Sequence, residues 1–464
     1  MKEKSFRVYI FRLLKTVHSD LHITKSAVEA MDSVIRVVAD RIMDRALILT
    51  NGGSKKTVSD TEIETTVNMI FPRSLAENTV NFAKVAVNCF EYSETTKREE
   101  KEKEKEKEKE NKKREAQTRE SRCGLIFSVS ASEKYARRFG QVGFHVSANT
   151  PIYLASVLEF LARQLLLLSG AITQNNNKIT ITVRHLFLAV SNNLELATFV
   201  DNLGIVFLNS GVEPQLVQNK PRPRVNRSKS KTVSESATSE ESTTSKRSHR
   251  WRPGTKTVMQ IRRLQKSSEL LMQHAPFNRV VREIVDHIGS KSVKVRFTGE
   301  FFISLQSYCE VRLIELMKQA NMIAVHAGRE TVYDHDVQLV CSLQCVNTSF
   351  HHGPYTAIIP EAALRQMALR AGVKRYGDSS TESYRNYLYS LLELCLLDVV
   401  LCARHHDVQT MNAKLLLEAL GMRGVYPTIT FHKRKLGKKT ASRANSKPAM
   451  EEPELSDVEE ELAN

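Results

Sequence analysis

From Phe302 to Ile323 the residues Phe302, Leu305, Cys309, Leu313, Leu316, Ala320 and Ile323 recur at spacings of three and four. That period puts them on one face of a long helix opening near Thr298. A long helix that is apolar along one side needs partners to cover it, and its upstream neighbours are short. A basic helix precedes it around Ile261–Ser267, and a second short helix starts at Pro276. The element pattern is therefore short, long, short, with arginines at the joints.

The same pattern appears four times in 464 residues, which gives an all-α chain of four modules with charged spacers. The first covers residues 4–92. Phe6 to Val17 forms a short helix, and Thr24 starts a long one striped by Val28, Met31, Ile35, Val38, Ile42 and Leu49. Asn51-Gly52-Gly53 ends it. Ser59 and Glu62 form a capping box for the next helix, and another runs from about Ser74 to Phe90. Residues 93–120 are a Lys/Glu run whose alternation mixes favourable and unfavourable helical pairs, as expected of a solvated spacer. The second module, 121–216, has its long helix start at Thr150 as N-cap with Pro151 first, striped by Leu154, Leu158, Leu161, Leu165 and Leu168. Residues 217–248, rich in Ser, Thr, Lys, Arg and Pro, read as a disordered linker. The third module is 249–344 and 345–359 a nearly uncharged linker. The fourth is 360–432, with Leu388, Leu391, Leu392, Cys395, Val399 and Cys402 on its long helix, a third helix from about Met411 to Leu420, and a short strand near Tyr426–Phe431. Residues 433–464 form a basic-then-acidic tail.

A net charge of +16 suits a polyanionic partner, nucleic acid before a membrane surface. The most apolar runs, around Leu165–Leu168 and Leu391–Val400, are interrupted by Arg163, Gln164, Glu393 and Asp398, so no membrane span is expected. Seven scattered cysteines and no secretory leader point to reduced thiols in an intracellular protein. Cys341 and Cys345 with His351 and His352 fit no zinc spacing, and no phosphate loop, nucleophile elbow or paired-carboxylate context is present. No metal, cofactor or enzymatic activity is expected.

The residues carry a family resemblance. Phe6-Arg7-Val8-Tyr9-Ile10 through His18 resembles the start of histone 2B. Pro151 to Leu161 and Arg184 to Val190 look like histone 2A, with Gly211-Val212-Glu213-Pro214 similar to the start of its docking tail. Trp251-Arg252-Pro253-Gly254-Thr255 through Leu343 resembles histone 3. Arg365, Gly372-Val373-Lys374-Arg375 and the following long helix resemble histone 4. The whole is similar to the fused core histones of large DNA viruses, in the order 2B, 2A, 3, 4.

That resemblance implies two handshake pairs, 2B-like with 2A-like and 3-like with 4-like. It also implies a core-histone function: wrapping double-stranded DNA without base specificity into nucleosome-like particles of two chains. The setting would be a virion, a host nucleus or a viral factory. Family positions for cations entering minor grooves fall on Lys55, Arg296 and Arg375. Backbone-directed positions fall on Lys25, Lys56, Thr57, Arg122, Lys134, Arg137, Arg250, Arg252, Arg279, Arg329, Thr331, Arg365 and Lys374. The self-contact between two 3-like modules falls on Cys309, His326, Asp336 and Leu339. The alternative is an architectural or transcription-factor-type subunit that binds DNA without a full wrap.

Departures from the family pattern bear on the partners. Thr180 stands in the place of a minor-groove arginine. Val408 and Gln409 replace cations in the last loop, and Gln273 and His274 replace them before Pro276. Looser DNA binding is expected. The acidic patch of the family is reduced to Glu159 and Glu195, with Gln164, Leu167, Asn193, Leu194, Ser74 and Phe82 at its other positions, so factors that bind that patch are unlikely partners.

Overall fold

The computed structural model describes residues 5–53, 55–104, 118–139, 145–214, 254–288, 295–344 and 359–428, with backbone alone for 94–104 and 139. Its architecture is mostly helical, and each module is built on a long helix flanked by short ones, with a second long helix, α4, closing the first module. The first contains α1 (Arg7–Val17), β1 (His22–Ile23), α2 (Lys25–Gly52), β2 (Thr57–Val58), α3 (Asp60–Ile70) and α4 (Arg73–Glu104). The second contains α5 (Arg119–Cys123), α6 (Val129–Phe139), β3 (His145–Val146), α7 (Thr150–Asn175), β4 (Thr180–Ile181), α8 (Val183–Asn192), α9 (Leu194–Asn202) and β5 (Ile205–Phe207). The third contains α10 (Thr255–Lys266), α11 (His274–Ile288), β6 (Arg296–Phe297), α12 (Gly299–His326), β7 (Thr331–Val332) and α13 (Asp334–Leu343). The fourth contains α14 (Glu361–Arg370), β8 (Arg375–Tyr376), α15 (Asp378–His405), β9 (Thr410–Met411), α16 (Ala413–Met422) and β10 (Tyr426–Thr428).

Caps set the starts of the long helices. The Thr24 hydroxyl accepts from Ala27 N at 3.3 Å before α2, and the Thr298 hydroxyl accepts from Phe301 N at 3.3 Å before α12. Ahead of α3, Ser59 N donates to the Glu62 carboxylate at 2.8 Å, which closes the capping box expected there. Three boundaries differ from expectation. Asn149, not Thr150, is the N-cap of α7, because the Thr150 hydroxyl is buried and donates instead to Val58 O at 2.9 Å. The last helix runs Ala413–Met422, since Asn412 supplies its cap to Leu415 N at 2.9 Å. Helix α4 continues past Tyr92 to Glu104, so the helix enters the charge run instead of stopping ahead of it.

Tertiary pairing follows from the apolar stripes. One core joins residues from Phe6 to Phe207, hence the first and second modules; the other joins Leu208 and the third and fourth modules. Four parallel two-strand bridges tie the loops of each pair together. His22 pairs with Thr180 and Thr57 with His145 in one pair, Arg296 with Thr410 and Thr331 with Arg375 in the other. Each module's first loop therefore lies beside its partner's second loop, which is the head-to-tail clasp that buries both long helices.

Helices α7 and α15 are long and apolar enough to cross a membrane by length and composition, contrary to the expectation drawn from their interrupting charges. Packing accounts for that apolarity: Leu154, Leu158 and Leu165 on α7, and Leu388, Leu392 and Leu396 on α15, are core residues.

A fifth bridge links the two pairs. β10 lies parallel to β5, with Tyr426, Pro427 and Thr428 opposite Ile205, Val206 and Phe207. The Thr428 hydroxyl accepts from Leu208 N at 3.2 Å, and Arg41 of α2 lies over the Tyr426 ring at 5.4 Å. Of the strand expected at Tyr426–Phe431, Tyr426–Thr428 is observed and the rest lies outside the described residues.

Candidate nucleic-acid interface

Cations collect where the paired loops meet. At the β2–β3 joint Lys55, Lys56 and Thr57 are exposed. Lys55 Nζ lies 2.8 Å from the Glu62 carboxylate. Burial alone would raise that carboxyl, but Lys55, the Ser59 hydroxyl and backbone donors outweigh it and pull it down to about 2. At the β7–β8 joint Arg329, Thr331, Lys374 and Arg375 are brought together by the strand pairing, with Lys374 3.3 Å from Glu330 and Arg375 exposed. At the β6–β9 joint Arg296 is exposed and its backbone N–H is bonded to Gln409 O at 2.9 Å. The facing loop brings the neutral Val408 and Gln409 there. At the β1–β4 joint Lys25 is exposed, and Thr180 on the opposite strand leaves the arginine position neutral.

The remaining expected cations lie on shorter helices. Lys134 and Arg137 are exposed on α6, and Arg137 pairs with Glu133 at 2.6 Å. Arg279 on α11 and Arg365 on α14 are exposed and make no ion pair among the described residues. Arg122 is half-buried on α5 over the Phe90 ring at 5.6 Å. Arg250 and Arg252 lie outside the described residues.

Arg329 and Asp336 are brought together, although the sequence assigned them to different tasks. The guanidinium donates to both carboxylate oxygens of Asp336 at 2.7 and 3.0 Å, and Tyr333 N donates to the same carboxylate at 2.9 Å. Burial opposes ionisation of Asp336, but Arg329 and the backbone donor hold it below the usual carboxylate range. Its oxygens are thus engaged within the module. Two further expectations need correction. Cys309 is 0% exposed in the middle of α12, so it packs the core and cannot touch a second copy. Glu159, counted as a remnant of an acidic surface, is also 0% exposed: it accepts from Ile126 N at 2.7 Å and Phe127 N at 2.9 Å and pairs with Arg163 at 3.2 Å. Glu195 is exposed and accepts from the Ser74 hydroxyl.

His326 is exposed at the end of α12, and Leu339 on α13 is 48% exposed. Around them Met322, Val325 and Leu343 are open as well.

Sequence reasoning missed several residues. Lys178, exposed just ahead of β4, adds a cation at the β1–β4 joint, at the other end of the bridge from Lys25, and its place before the strand was the available signal. Two arginines that look like surface cations are interior posts. Arg184 donates to Ser210 O at 3.3 Å, and Arg370 donates to Glu269 O at 2.8 Å and Leu264 O at 3.2 Å. Burial lowers both guanidinium groups from their usual values. Nothing in their spacing separates them from the joint cations.

Comparison with known proteins finds histones. The core histone domain, a family that spans histones 2A, 2B, 3 and 4, matches residues 1–69 and 253–343, which covers most of the first module and nearly all of the third. Among solved structures, the histone from Methanopyrus kandleri aligns at 13% identity over 32% of this chain and 92% of its own length, with a TM-score of 0.28.

Proposed function

We propose that this chain wraps and compacts double-stranded DNA without base specificity, as a nucleosome-like particle of two chains. The observation that carries the reading is the gathering of solvent-accessible cations at paired loops. Lys55 and Lys56, Arg296, and Lys374 with Arg375 stand at three of the four joints, and Lys25 with Lys178 at the fourth. Wrapped duplex presents its minor groove inward about every 10 bp, and inserted arginines plus main-chain contacts to phosphates meet it there. Paired loops bearing cations and backbone donors suit that task. The chemistry is binding, with no step to catalyse.

Two chains per particle would meet at the apolar end of the third module. His326, Leu339 and their neighbours Met322 and Val325 would meet the same surface of a second copy, while Asp336 holds Arg329 in place behind them. By its likeness to fused viral histones, the particle would package a viral genome, in the virion, a host nucleus or a viral factory. The second reading, an architectural subunit that binds without wrapping, draws on the joints that carry cations unevenly, where Thr180, Val408 and Gln409 are neutral.

Nuclease digestion of DNA reconstituted with the purified chain, with the particle mass measured alongside, decides between them. The reading expects a discrete fragment of about 110–150 bp with two chains, near the roughly 146 bp of a histone octamer. About half that length with one chain would remove the self-contact. A smear would leave the architectural subunit.

A further inference from the structure

A cleft of about 690 Å³ lies where the second module meets the third, bounded by parts of α8, α9, β5, α12 and residues 268–270. Val190, Val200, Ile205, Leu270 and Ile314 give it apolar walls. Its charged groups do not balance. Arg312 pairs with Glu315 at 2.7 Å and Lys318 with Glu213 at 3.5 Å. Arg370 is buried on the Leu264 and Glu269 carbonyls, and the buried Glu310, which accepts from the Leu271 and Met272 amides, offsets its charge. Asp201 and Glu269 remain. Both line the cleft, both are exposed, and neither carboxylate has an ion pair or hydrogen bond among the described residues.

The chain itself passes this place. The described residues break off at Pro214, directly after Glu213 on the cleft, and resume at Gly254. Helix α10 then brings the chain to Ser268, Glu269 and Leu270 on the same cleft. Residues 215–253 lie outside the described residues. From Gln215 to Lys231 their sequence carries the cations Lys220, Arg222, Arg224, Arg227, Lys229 and Lys231 and no carboxylate.

We propose that the cleft is a docking surface for the first part of this linker, from the same chain, with its arginines and Lys220 supplying the cations that Asp201 and Glu269 lack. Reach is no obstacle. Lys220 is six residues past Pro214, which spans up to about 20 Å. Leu216, Val217 and Val225 are available for the apolar walls. Proline fixes φ, so Pro221 and Pro223 reduce the entropy lost when the run is ordered. Because the linker is already tethered at the rim, its effective concentration at the cleft is high without any partner. Held there, its cations are matched by carboxylates of the fold in the absence of DNA.

Limited trypsin digestion of the full-length protein without DNA, read by mass spectrometry, tests this. Cleavage after Arg224 and Arg227 is followed, with cleavage after Arg247, farther along the linker, as the internal rate. Two ion pairs at the upper end of what exposed pairs contribute correspond to roughly tenfold. Arg224 and Arg227 should therefore be cut about tenfold more slowly than Arg247. Asp201→Asn combined with Glu269→Gln should remove most of that difference and leave the Arg247 rate unchanged; both positions are exposed, so the fold tolerates the change. The protection should also be independent of protein concentration. Equal rates at the three sites in wild type would overturn the proposal and leave the cleft to another partner. Protection that survives the double variant would overturn it as well. Protection that grows with concentration would assign the cleft to the linker of a second copy, against the same-chain docking proposed.

Discussion

Replacing Gly204 with alanine should open the bridge between the two module pairs while leaving both pairs folded. Gly204 sits at φ +68°, where a side chain costs about 1–2 kcal/mol. Its added Cβ would meet the carbonyl oxygen of Gly424 at 2.0 Å, and that oxygen is backbone and cannot swing away. The chain must separate there, which strains the Tyr426 N–Gly204 O bond of 2.7 Å and the Leu208 N–Thr428 Oγ1 bond of 3.2 Å, each worth about 1 kcal/mol net. The sum, roughly 3–4 kcal/mol, corresponds to amide exchange faster by between about two and three orders of magnitude at β5 and β10. Hydrogen exchange read by mass spectrometry on peptides covering 205–208 and 426–428 measures it, with the β2–β3 peptides as reference. Gly424→Ala is the matched control: its φ of +73° is also left-handed, but nothing lies within 4 Å of the added Cβ, so only the conformational part of the cost applies. Exchange in Gly204→Ala within twofold of wild type, or a larger effect at Gly424, would refute the steric argument.

Four further outcomes are expected. Glu159→Ala strands the Ile126 and Phe127 amides, at about 1–3 kcal/mol for each unsatisfied group, and should lower the urea midpoint; an unchanged midpoint would show that water replaces the carboxylate. Because Glu62 ionises near 2 in the fold against an ordinary 4.5, its contribution is complete above about pH 4.5 and is lost as pH falls toward 2. Glu62→Gln should therefore flatten the acid limb of the stability profile in that window, and an unaltered limb counts against the Lys55–Glu62 assignment. Arg296→Ala should reduce the salt slope of DNA binding by about 1, with the same loss on unrelated sequences; a sequence-dependent loss would mean base readout. With Thr180, Val408 and Gln409 neutral at the joints, DNA should dissociate at lower salt than from ordinary nucleosomes, and retention at equal or higher salt contradicts this.

Much of the fold was legible because helix periodicity and capping are local. The α12 stripe from Phe302 to Ala320 is buried as its spacing requires, and Thr24, Ser59 and Thr298 act where cap chemistry puts them. The joint cations Lys55, Lys56, Lys374 and Arg375 were assigned by the family resemblance, and in the structure they precede or open short strands between helices. Roles set by distant partners were not. A carboxylate such as Glu159 looks the same in sequence whether it faces water or caps two amides 32 and 33 residues upstream. Arg370 lies five residues from Arg375, yet one is sealed against Leu264 and Glu269 carbonyls and the other is exposed. Asp336 becomes a partner of Arg329 only because the loop ahead of α13 folds back onto it.

Sequence alone carried the apolar stripes of the long helices and their caps, because each depends on residues a few positions apart. Tertiary structure assigned which carboxylates are surface and which are struts, and joined β5 to β10 across some 220 residues. Burial and hydrogen bonding between segments far apart in the chain decide those matters, and no local pattern encodes them.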